Sequence, residues 1–273
     1  MDSIYLSVFP LPELMPETDA FDLSLCIDVL RATTTITTAL HHGARSVRPF
    51  LSVEEALKAK AIFLQENPEK KDRLVLGGER KGIRIESFDL ANSPDEYTRA
   101  KIAGKIVYFT TTNGTKAILR GQGTVVPVSF VNAGAVVEKV LGGSYQKIAI
   151  ICAGTCGNYT EEDLLLAGCL VSRIEEEYRK IGKPLGFCKK NLQACAVEEN
   201  WRLLMEKAVS HNPSGQYDKN DIIAELAKIL PESRGGKNLC AINLKKDILD
   251  AAQIDSIPIV PIYKDGAIVI ESL

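Results

Sequence analysis

Short apolar runs rich in β-branched residues alternate along this chain with segments of helical periodicity. Such alternation is typical of βαβ units, so it predicts an α/β fold whose sheet is wholly parallel or mixed with parallel strands dominant. Strands are predicted at 4–9, 23–29, 46–50, 73–76, 105–109, 125–129, 147–152, 257–262 and 267–270. Helices are predicted at 34–42, 53–65, 115–120, 133–141, 160–181, 192–210, 221–230 and 245–253.

The segment 183–233 breaks this alternation. A Gly-Lys-Pro sequence at 182–184 ends the longest of the predicted helices, and the residues that follow have helical periodicity but no strand pattern. We therefore predict one α/β domain over 1–273, with 183–233 as a helical insertion or cap. Polar loops at 211–215 and 233–237 would let part of that region move over a cleft.

The composition narrows the function. A formal net charge of -2 provides no basic stripe for nucleic acid, so any anion site must be local. No run approaches the roughly 20 apolar residues that cross a bilayer, and the first residues show no basic region before an apolar stretch. We expect a cytoplasmic protein with neither nucleic acid nor membrane as its partner. The odd count of 7 cysteines favours reduced thiols over a disulfide framework.

Familiar nucleotide motifs are missing from the sequence. It has no glycine loop of the dinucleotide type and no lysine-bearing P-loop, which disfavours a dehydrogenase or a nucleotide kinase. The adjacent histidines His41 and His42 fall at a predicted helix end, where the helix dipole explains them without phosphohistidine chemistry.

The segment 25–34 carries the strongest chemical signal. Its apolar run delivers Asp28 and Arg31 to the point where a strand must stop. Three threonines at 33–35 follow at the start of a predicted helix, where free backbone donors gather. A carboxylate that can hold a metal ion, a guanidinium that can grip an oxyanion and a helix start rich in donors together indicate phosphate chemistry.

Four loops of unusual composition follow predicted strands, at 28–35, 77–82, 110–115 and 153–157. Ligands bind beyond the carboxyl ends of parallel strands, so we expect these loops to meet at the same edge of one sheet and form one site. Each has a plainer explanation on its own: threonines cap helices, paired glycines make tight turns, and the acids at 161–163 suit a helix N-terminus. Their coincidence at one edge favours a site.

Five motifs occur in chain order: DVLRATTT at 28–35, GGERKG at 77–82, FDLANSP at 88–94, TTNGT at 111–115, and Ala153-Gly154 with Glu162-Asp163 and Ala167-Gly168. Together they resemble the 2-phosphosulfolactate phosphatase family, and the resemblance runs from about residue 22 to residue 261. It implies a magnesium-dependent phosphoric monoester hydrolase that converts 2-phosphosulfolactate to 3-sulfolactate and phosphate, the step known from coenzyme M biosynthesis. It also implies a three-layer α/β/α fold and a homodimer.

The substrate of that family carries a phosphate, a sulfonate and a carboxylate, a charge of about -4 at neutral pH. We expect cations and uncharged donors from the loops to bind this small anion. The expected ligands are Arg31, Arg80, Lys81 and Arg84 for charge, and Thr33, Thr34, Thr112, Asn113 and Gly114 for directional contacts. Arg234 and Lys237 would close over the substrate from the later glycine loop.

A metal ion suits phosphoryl transfer because it stabilises charge on the equatorial oxygens. Mg²⁺ prefers one or two carboxylates with several waters. We assign Asp28 as its first ligand and Glu79 or Asp163 as the second. Glu162 is the expected base that orients the attacking water, and Arg31 completes the catalytic set.

Three alternatives stay open. Asp28 could instead attack phosphorus and form an aspartyl phosphate, although the second aspartate expected two residues later is Leu30. The substrate could be another small phosphorylated acid, such as phosphoglycolate or phospholactate. The protein could also be a non-catalytic sensor that binds such an anion through its cations and threonines.

Overall fold

The computed structural model describes residues 3–18, 20–210 and 218–271. Its strands are β1 (Ile4–Phe9), β2 (Leu23–Ile27), β3 (Ser46–Pro49), β4 (Leu74–Arg80), β5 (Ile83–Arg84), β6 (Ile106–Thr110), β7 (Thr124–Val128), β8 (Lys147–Cys152), β9 (Cys188–Lys190), β10 (Pro261–Lys264) and β11 (Ala267–Ile270). Its α-helices are α1 (Ala32–His41), α2 (Val53–Glu66), α3 (Arg99–Ile102), α4 (Gly114–Arg120), α5 (Ala133–Gly142), α6 (Glu161–Lys180), α7 (Leu192–Ser210), α8 (Lys219–Ile229), α9 (Arg234–Ala241) and α10 (Lys245–Ala251).

The described strands form one mixed sheet in the order β5-β4-β6-β3-β11-β10-β7-β2-β8-β1-β9. Parallel pairing joins β4, β6 and β3 in one group, and β7, β2, β8, β1 and β9 in another. The antiparallel hairpin of β10 and β11 connects the two groups. The α/β fold class, with a mainly parallel mixed sheet in a three-layer arrangement, is therefore confirmed.

The hairpin reverses the direction of the strands between the two parallel groups. Three successive pairings are antiparallel, β3 with β11, β11 with β10 and β10 with β7, so β3 and β7 run in opposite directions. The expectation that all four loops lie at the same edge of one parallel sheet is wrong for this reason. The strands that carry two of the loops, β4 and β6, run opposite to the strands that carry the other two.

The buried helix α1 and the partly buried helix α4 bring the loops together instead. α1 contacts both β3 and β7, and α4 contacts both β2 and β3. Each helix therefore packs against strands of both parallel groups. Their N-termini abut, because a Cβ atom at Gly114, the first residue of α4, would overlap the Cβ atom of Ala32, the first residue of α1. The loop after β2 and the loop after β6 consequently meet where these helices begin.

α1 forms despite its content of threonine, a β-branched residue of low helix propensity. Every residue from Ala32 to Leu40 is buried. Ile36 shares one apolar core with Val47 of β3 and Val107 of β6. Tertiary packing thus outweighs local propensity here, and the packed helix fixes the loop that carries Asp28.

The described part of 183–233 packs on the sheet and adds a strand to it rather than standing apart from it. β9 pairs in parallel with β1, so the prediction that this region lacks a strand is wrong. Trp201 of α7 shares a core with Leu6 and Val8 of β1. The polar loop predicted at 211–215 lies outside the described residues.

Two segments predicted as loops are regular structure. Most of 77–82 is strand, because β4 continues as far as Arg80. A two-residue turn at 81–82, with positive φ at both positions, then leads into β5. The segment 233–237 is the start of α9, where Ser233 Oγ caps the helix by accepting a hydrogen bond from the Gly236 amide at 3.1 Å. Neither segment is therefore a free polar loop.

The strand predicted at 257–262 begins only at Pro261. All seven cysteines are free, in agreement with the expectation of reduced thiols. None of the described helices is both long and apolar enough to cross a membrane.

Candidate active site

A cleft of about 470 Å³ opens near the point where α1 and α4 begin. Its wall includes six residues predicted for the site: Asp28, Arg31, Glu79, Lys81, Thr112 and Asn113. They come from the loop after β2, from the β4–β5 hairpin and from the loop after β6. α9 forms another part of the wall through Gly235, Asn238 and Leu239. The loop after β8 contributes Thr155 and Cys156, so all four loops that the sequence groups together do meet at the cleft, although not at one edge of a parallel sheet.

Asp28 is buried at the point where β2 gives way to α1. Its amide donates to Thr33 Oγ1 at 3.1 Å, and Thr33 Oγ1 donates back to the Asp28 carbonyl oxygen at 2.8 Å. Asp28 Oδ1 accepts a hydrogen bond from the Ala32 amide at 3.3 Å, one of the free donors at the start of α1. Its Oδ2 lies against Gly114, where a Cβ atom would come within 2.5 Å of it, so only glycine fits at that position.

The carboxylates around Asp28 repel one another. Burial raises the pKa of Asp28 to about 7, and the charges of Glu79 and Glu162 add to the rise while that of Arg31 opposes it. Burial also raises the pKa of Asp163 well above its ordinary value, with the charges of Asp28 and Glu162 as further causes. This group of acids therefore holds more negative charge than its surroundings compensate.

Glu79 ties the end of β4 to the loop after β6. Its Oε1 accepts hydrogen bonds from the Thr112 amide at 2.8 Å and the Thr112 hydroxyl at 2.9 Å. Its Oε2 accepts a hydrogen bond from the Gly82 amide at 2.7 Å. These bonds hold the buried carboxylate in one orientation, and they use both donor groups of Thr112 within the protein.

Arg31 is held by a residue that the sequence did not predict. Its Nη1 donates to Asp247 Oδ2 at 2.6 Å, and its Nη2 donates to the Gly82 carbonyl oxygen at 2.7 Å. Asp247 Oδ1 in turn accepts a hydrogen bond from Ser93 Oγ at 2.7 Å. Across the described ranges, Arg31 is the one buried lysine or arginine, and its charge is already paired. Direct contact between Arg31 and a substrate oxyanion stays a prediction.

Lys81 is the predicted cation that reaches the cleft with its charge unpaired. It is exposed, and it forms no ion pair with any residue that the structure describes. Arg80 instead donates to Thr110 Oγ1 at 2.9 Å, and Arg84 donates to the Phe88 carbonyl oxygen at 3.2 Å. The structure therefore does not bring these two arginines to the cleft wall.

The expected closing residues Arg234 and Lys237 are exposed on α9 and lie outside the lining of the cleft. The Arg234 amide donates to Glu161 Oε2 at 3.0 Å, which ties the start of α9 to the start of α6. Lys237 lies 4.0 Å from Glu232 in an exposed ion pair. Both residues thus belong to a helix rather than to a loop that could close.

The hydroxyls of Thr33 and Thr34 do not reach the cleft. Both residues are buried, and the Thr33 hydroxyl is bound to the backbone of Asp28. Thr34 Oγ1 donates to the Val29 carbonyl oxygen at 2.8 Å and lies 2.5 Å from Ser129 Oγ. Both hydroxyls donate to backbone carbonyl oxygens five residues earlier, which agrees with the plainer explanation that these threonines stabilise the start of the helix. Their expected contact with substrate has no geometric support.

Glu162 and Asp163 lie behind the cleft rather than on its wall. Asp163 accepts hydrogen bonds from the Val29 amide at 2.9 Å and the Gly154 amide at 3.1 Å, so each of its oxygens fastens one loop. Glu162 lies beneath Gly235, where a Cβ atom would overlap its Oε1, and its Oε2 is buried without a partner. Burial raises the pKa of Glu162. The geometry favours neither Asp163 as a metal ligand nor Glu162 as a base exposed to water.

The acids of this region fit a divalent cation. Five of them are buried: Asp28, Glu79, Glu162, Asp163 and Asp247. Only one buried arginine of the described segments, Arg31, accompanies these five acids. The remaining negative charge must be neutralised by protons or by a metal ion. Among the described residues, no group of three or more His, Cys, Asp or Glu side chains is arranged to hold a metal ion. A site here would depend on Asp28 and Glu79, the two carboxylates that line the cleft, with waters as the other ligands.

Other residues of the wall were not assigned from the sequence. Asn92 lines the cleft and belongs to the FDLANSP motif, which was therefore an available signal. Cys156 also lines it, and its amide donates to Asn113 Oδ1 at 3.3 Å. Asn238 comes from α9, where nothing in the sequence pattern distinguishes it from an exposed helix residue.

The fold and the site define a class of protein. An α/β scaffold that gathers two oriented carboxylates, an unpaired lysine and neutral amides around a small cleft is typical of enzymes that act on small anionic substrates. Sequence comparison gives the class a more specific identity.

The chain belongs to the 2-phosphosulpholactate phosphatase family, whose model matches residues 9–266. It is 36% identical over 250 residues to a probable 2-phosphosulfolactate phosphatase of Symbiobacterium thermophilum, which covers 91% of this chain and 94% of that protein. A protein of the same name from Clostridium beijerinckii is 35% identical over 254 residues, 91% of this chain and 92% of that one. Another, from Gloeothece citriformis, is 30% identical over 268 residues, 97% and 99% of the two chains. The resemblance to this family is confirmed, and the chain is an enzyme of the phosphoric monoester hydrolase class.

Proposed function

We propose that this protein is a magnesium-dependent phosphatase that hydrolyses 2-phosphosulfolactate to 3-sulfolactate and phosphate. The meeting of Asp28 and Glu79 with the unpaired Lys81 in one cleft is the observation that carries the proposal. Relatives across most of the chain bear the name of this phosphatase, which supports the choice of substrate. Paired carboxylates suit a divalent cation and a lysine suits an anion, so the cleft offers both parts that a phosphate ester needs.

Substrate binding relies on neutral donors as well as on charge. An ester with a charge of about -4 needs many hydrogen bonds. Lys81 neutralises part of that charge, while the carboxamides of Asn113 and Asn238 lie on the same wall and can donate to anionic oxygens. Asp28 and Glu79 would repel the ester if nothing screened them, which supports dependence on a metal ion.

Asp28 and Glu79 would hold Mg²⁺. When bound, the ion supplies positive charge that stabilises the oxygens of the transferring phosphoryl group. The Ala32 amide orients Asp28, and the Thr112 and Gly82 amides orient Glu79. Both carboxylates are therefore placed before any ligand arrives, so little reorganisation is needed at the moment of reaction.

Hydrolysis forms a bond between phosphorus and a water oxygen and breaks the bond from phosphorus to the C2 oxygen of the substrate. The residues of this chain contribute position and charge to that step rather than a covalent bond. An aspartyl phosphate on Asp28 is the alternative. A phosphate analogue trapped on Asp28 and located there by mass spectrometry would favour the aspartyl phosphate over direct attack by water.

A phosphate-release assay tests the proposed function. The panel contains 2-phosphosulfolactate, phospholactate and phosphoglycolate, each with Mg²⁺ and with a chelator. We expect kcat/KM for the sulfonated ester to exceed the others by about tenfold or more, and the chelator to abolish release. Equal turnover of all three esters would support phosphatase activity but not the assignment of 2-phosphosulfolactate as the substrate. Binding without release would identify a sensor.

We also propose a homodimer in the cytoplasm. The dimer is supported by the resemblance to the family, and the location by the seven free cysteines. Light scattering should give about twice the 29.8 kDa mass of the chain. A mass equal to that of one chain would refute the dimer. A role in coenzyme M biosynthesis stays a prediction.

A further inference from the structure

Asn92 is a polar residue of the cleft wall whose side chain has no hydrogen-bond partner among the described residues. It is 3% exposed and lines the cleft together with Asp28 and Glu79. Its Oδ1 is buried without a hydrogen bond. Within the part of the chain that the structure describes, four residues have such an atom, and Asn92 is the one that lines the cleft.

The backbone around Asn92 is firmly held, so the unpartnered amide does not result from a loose loop. The carbonyl oxygens at 90–92 each accept a hydrogen bond from another part of the chain. The donors are the Gly78 amide at 3.1 Å, the Tyr97 hydroxyl at 2.8 Å and the Thr35 hydroxyl at 3.4 Å. The position of Asn92 is therefore fixed while its carboxamide remains unused.

A buried carboxamide oxygen without a hydrogen bond destabilises a folded protein and requires an explanation. Neither end of the Asn92 carboxamide is bonded to a described residue, so rotation about its Cβ–Cγ bond breaks no hydrogen bond and can turn the oxygen toward the cleft. The oxygen only accepts hydrogen bonds, so it suits an O–H group rather than an anionic oxygen. In a phosphatase cleft, the O–H group that must be oriented is the attacking water.

We propose that Asn92 is a catalytic residue whose Oδ1 accepts a hydrogen bond from the attacking water and orients it toward phosphorus. This inference rests on the phosphatase function proposed above. It gives Asn92 the role expected of Glu162, which lies beneath Gly235. A neutral amide orients water without adding negative charge to a cleft that already contains Asp28 and Glu79.

The step balances without any further reactant. The water oxygen bonds to phosphorus while the bond from phosphorus to the C2 oxygen breaks. Asn92 takes no proton: one proton of the water stays on the phosphate product, and the other passes through a phosphoryl oxygen to the departing alkoxide. The products are hydrogen phosphate and the 2-hydroxy acid.

Two variants of the full chain test the proposal with Mg²⁺ and 2-phosphosulfolactate. Asn92→Leu removes the acceptor at similar size, and we expect kcat to fall by about 10²-fold with little change in KM. Asn92→Asp keeps an acceptor, so kcat should return to within about tenfold of the wild type while charge repulsion raises KM. Asn200→Asp adds the same charge at an exposed position on α7 and should change neither constant.

Thermal unfolding without ligand separates this role from a structural one. The Asn92 side chain forms no hydrogen bond within the described part of the chain, so Asn92→Leu should unfold at the wild-type temperature or above it. An unchanged kcat in Asn92→Leu, or a loss of kcat that follows a loss of stability, would overturn the proposal. So would an Asn92→Asp variant slower than Asn92→Leu, because that order would identify a donor to the phosphate.

Exchange of ¹⁸O between water and inorganic phosphate distinguishes this inference from the proposed function. In this exchange a water oxygen bonds to phosphorus while one oxygen of the bound phosphate leaves as water, so no sulfonated ester is required. If the wild type exchanges oxygen yet does not hydrolyse 2-phosphosulfolactate, the substrate assignment fails. The inference about Asn92 is then tested by the exchange rate, which should be lower in Asn92→Leu than in Asn92→Asp. A wild type that does neither would overturn both proposals.

Discussion

Arg31 and Asp247 form an ion pair with 2.6 Å between Nη1 and Oδ2, and each side chain is 2% exposed. The two residues are 216 positions apart in the sequence, and their contact joins the loop after β2 to α10. When one partner of such a buried pair is removed, the other charge is left unpaired in surroundings of low polarity. The pair therefore fastens the part of the cleft wall that carries Asp28.

Substitution of Asp247 tests how strongly this pair holds the wall. Asp247→Asn should lower the free energy of unfolding by about 3–5 kcal/mol, because the charge of Arg31 stays buried without its counterion. Asp250→Asn, on the same helix, removes a partner of the exposed Lys246 and should cost about 0.5 kcal/mol or less. Urea unfolding measures both losses. Similar losses in the two variants would contradict the burial of the pair.

Substitution of Asp28 separates a catalyst from a sensor. Asp28→Asn keeps the acceptor for the Ala32 amide but removes the charge that would hold a metal ion. We expect phosphate release to fall at least about 10²-fold, while the anion binds as well as before or better. Kinetics and calorimetric titration with phosphate measure the two effects. Asp72→Asn, at an exposed position, serves as the control, and wild-type turnover in Asp28→Asn would refute the catalytic assignment.

Gly114 tests the junction of the two helices. Gly114→Ala would place a methyl group 2.5 Å from Asp28 Oδ2, and we expect a loss of stability of about 1–3 kcal/mol together with loss of activity. Gly142→Ala is the matched control, since a Cβ atom at that residue of α5 meets nothing within 4 Å and should be tolerated. Unfolding midpoints and kcat of both variants provide the comparison. A stable, active Gly114→Ala protein would show that the junction can relax.

The raised pKa of Asp28 predicts how stability depends on pH without metal. The carboxyl has a pKa of about 3.9 in an unfolded chain and about 7 in the folded one, so the folded protein binds this proton more tightly. The resulting stabilisation is complete below pH 4 and is lost as the pH rises through 7, a change on the order of a few kcal/mol. Wild type in chelator should therefore lose more stability between pH 5 and pH 8 than Asp28→Asn does. Parallel profiles of the two proteins would contradict this.

Mg²⁺ should stabilise the protein more at high pH than at low pH. Protons compete with the ion for the carboxylates, so the rise in unfolding temperature on adding Mg²⁺ should be larger at pH 8 than at pH 5. Glu79→Gln should remove most of the rise, whereas Glu86→Gln, at an exposed position, should keep it. Thermal melts with and without chelator measure the effect. An equal rise in the Glu79 variant would place the ion elsewhere.

Local sequence pattern predicts most elements of this fold but not the way they are joined. β8, β11 and α7 have the predicted bounds, because each is a continuous segment with one clear periodicity. β9 escapes prediction because its three residues are too few to show alternation. The reversal of strand direction escapes it for another reason, since strand order depends on pairing between distant segments that no local pattern records.

The site shows the same division between local and distant information. Asp28, Glu79 and Lys81 could be found because each lies in a short motif at a strand end. Asp247 could not, because on its own helix it has the same pattern as a solvated acid, and its partners Arg31 and Ser93 are distant in the sequence. Glu162 was recognised as part of the site, but only the packing of α9 over it shows that it is covered.

The β10–β11 hairpin makes assembly of the sheet a late event in synthesis. Both of its strands follow every other described strand in the chain, yet they lie between the two parallel groups. On the ribosome, β3 and β7 therefore present open edges until residues 261–270 emerge, and the loops of the cleft have no fixed relation before then. A nascent chain halted short of the hairpin would be inactive and would expose two strand edges to pairing with other chains.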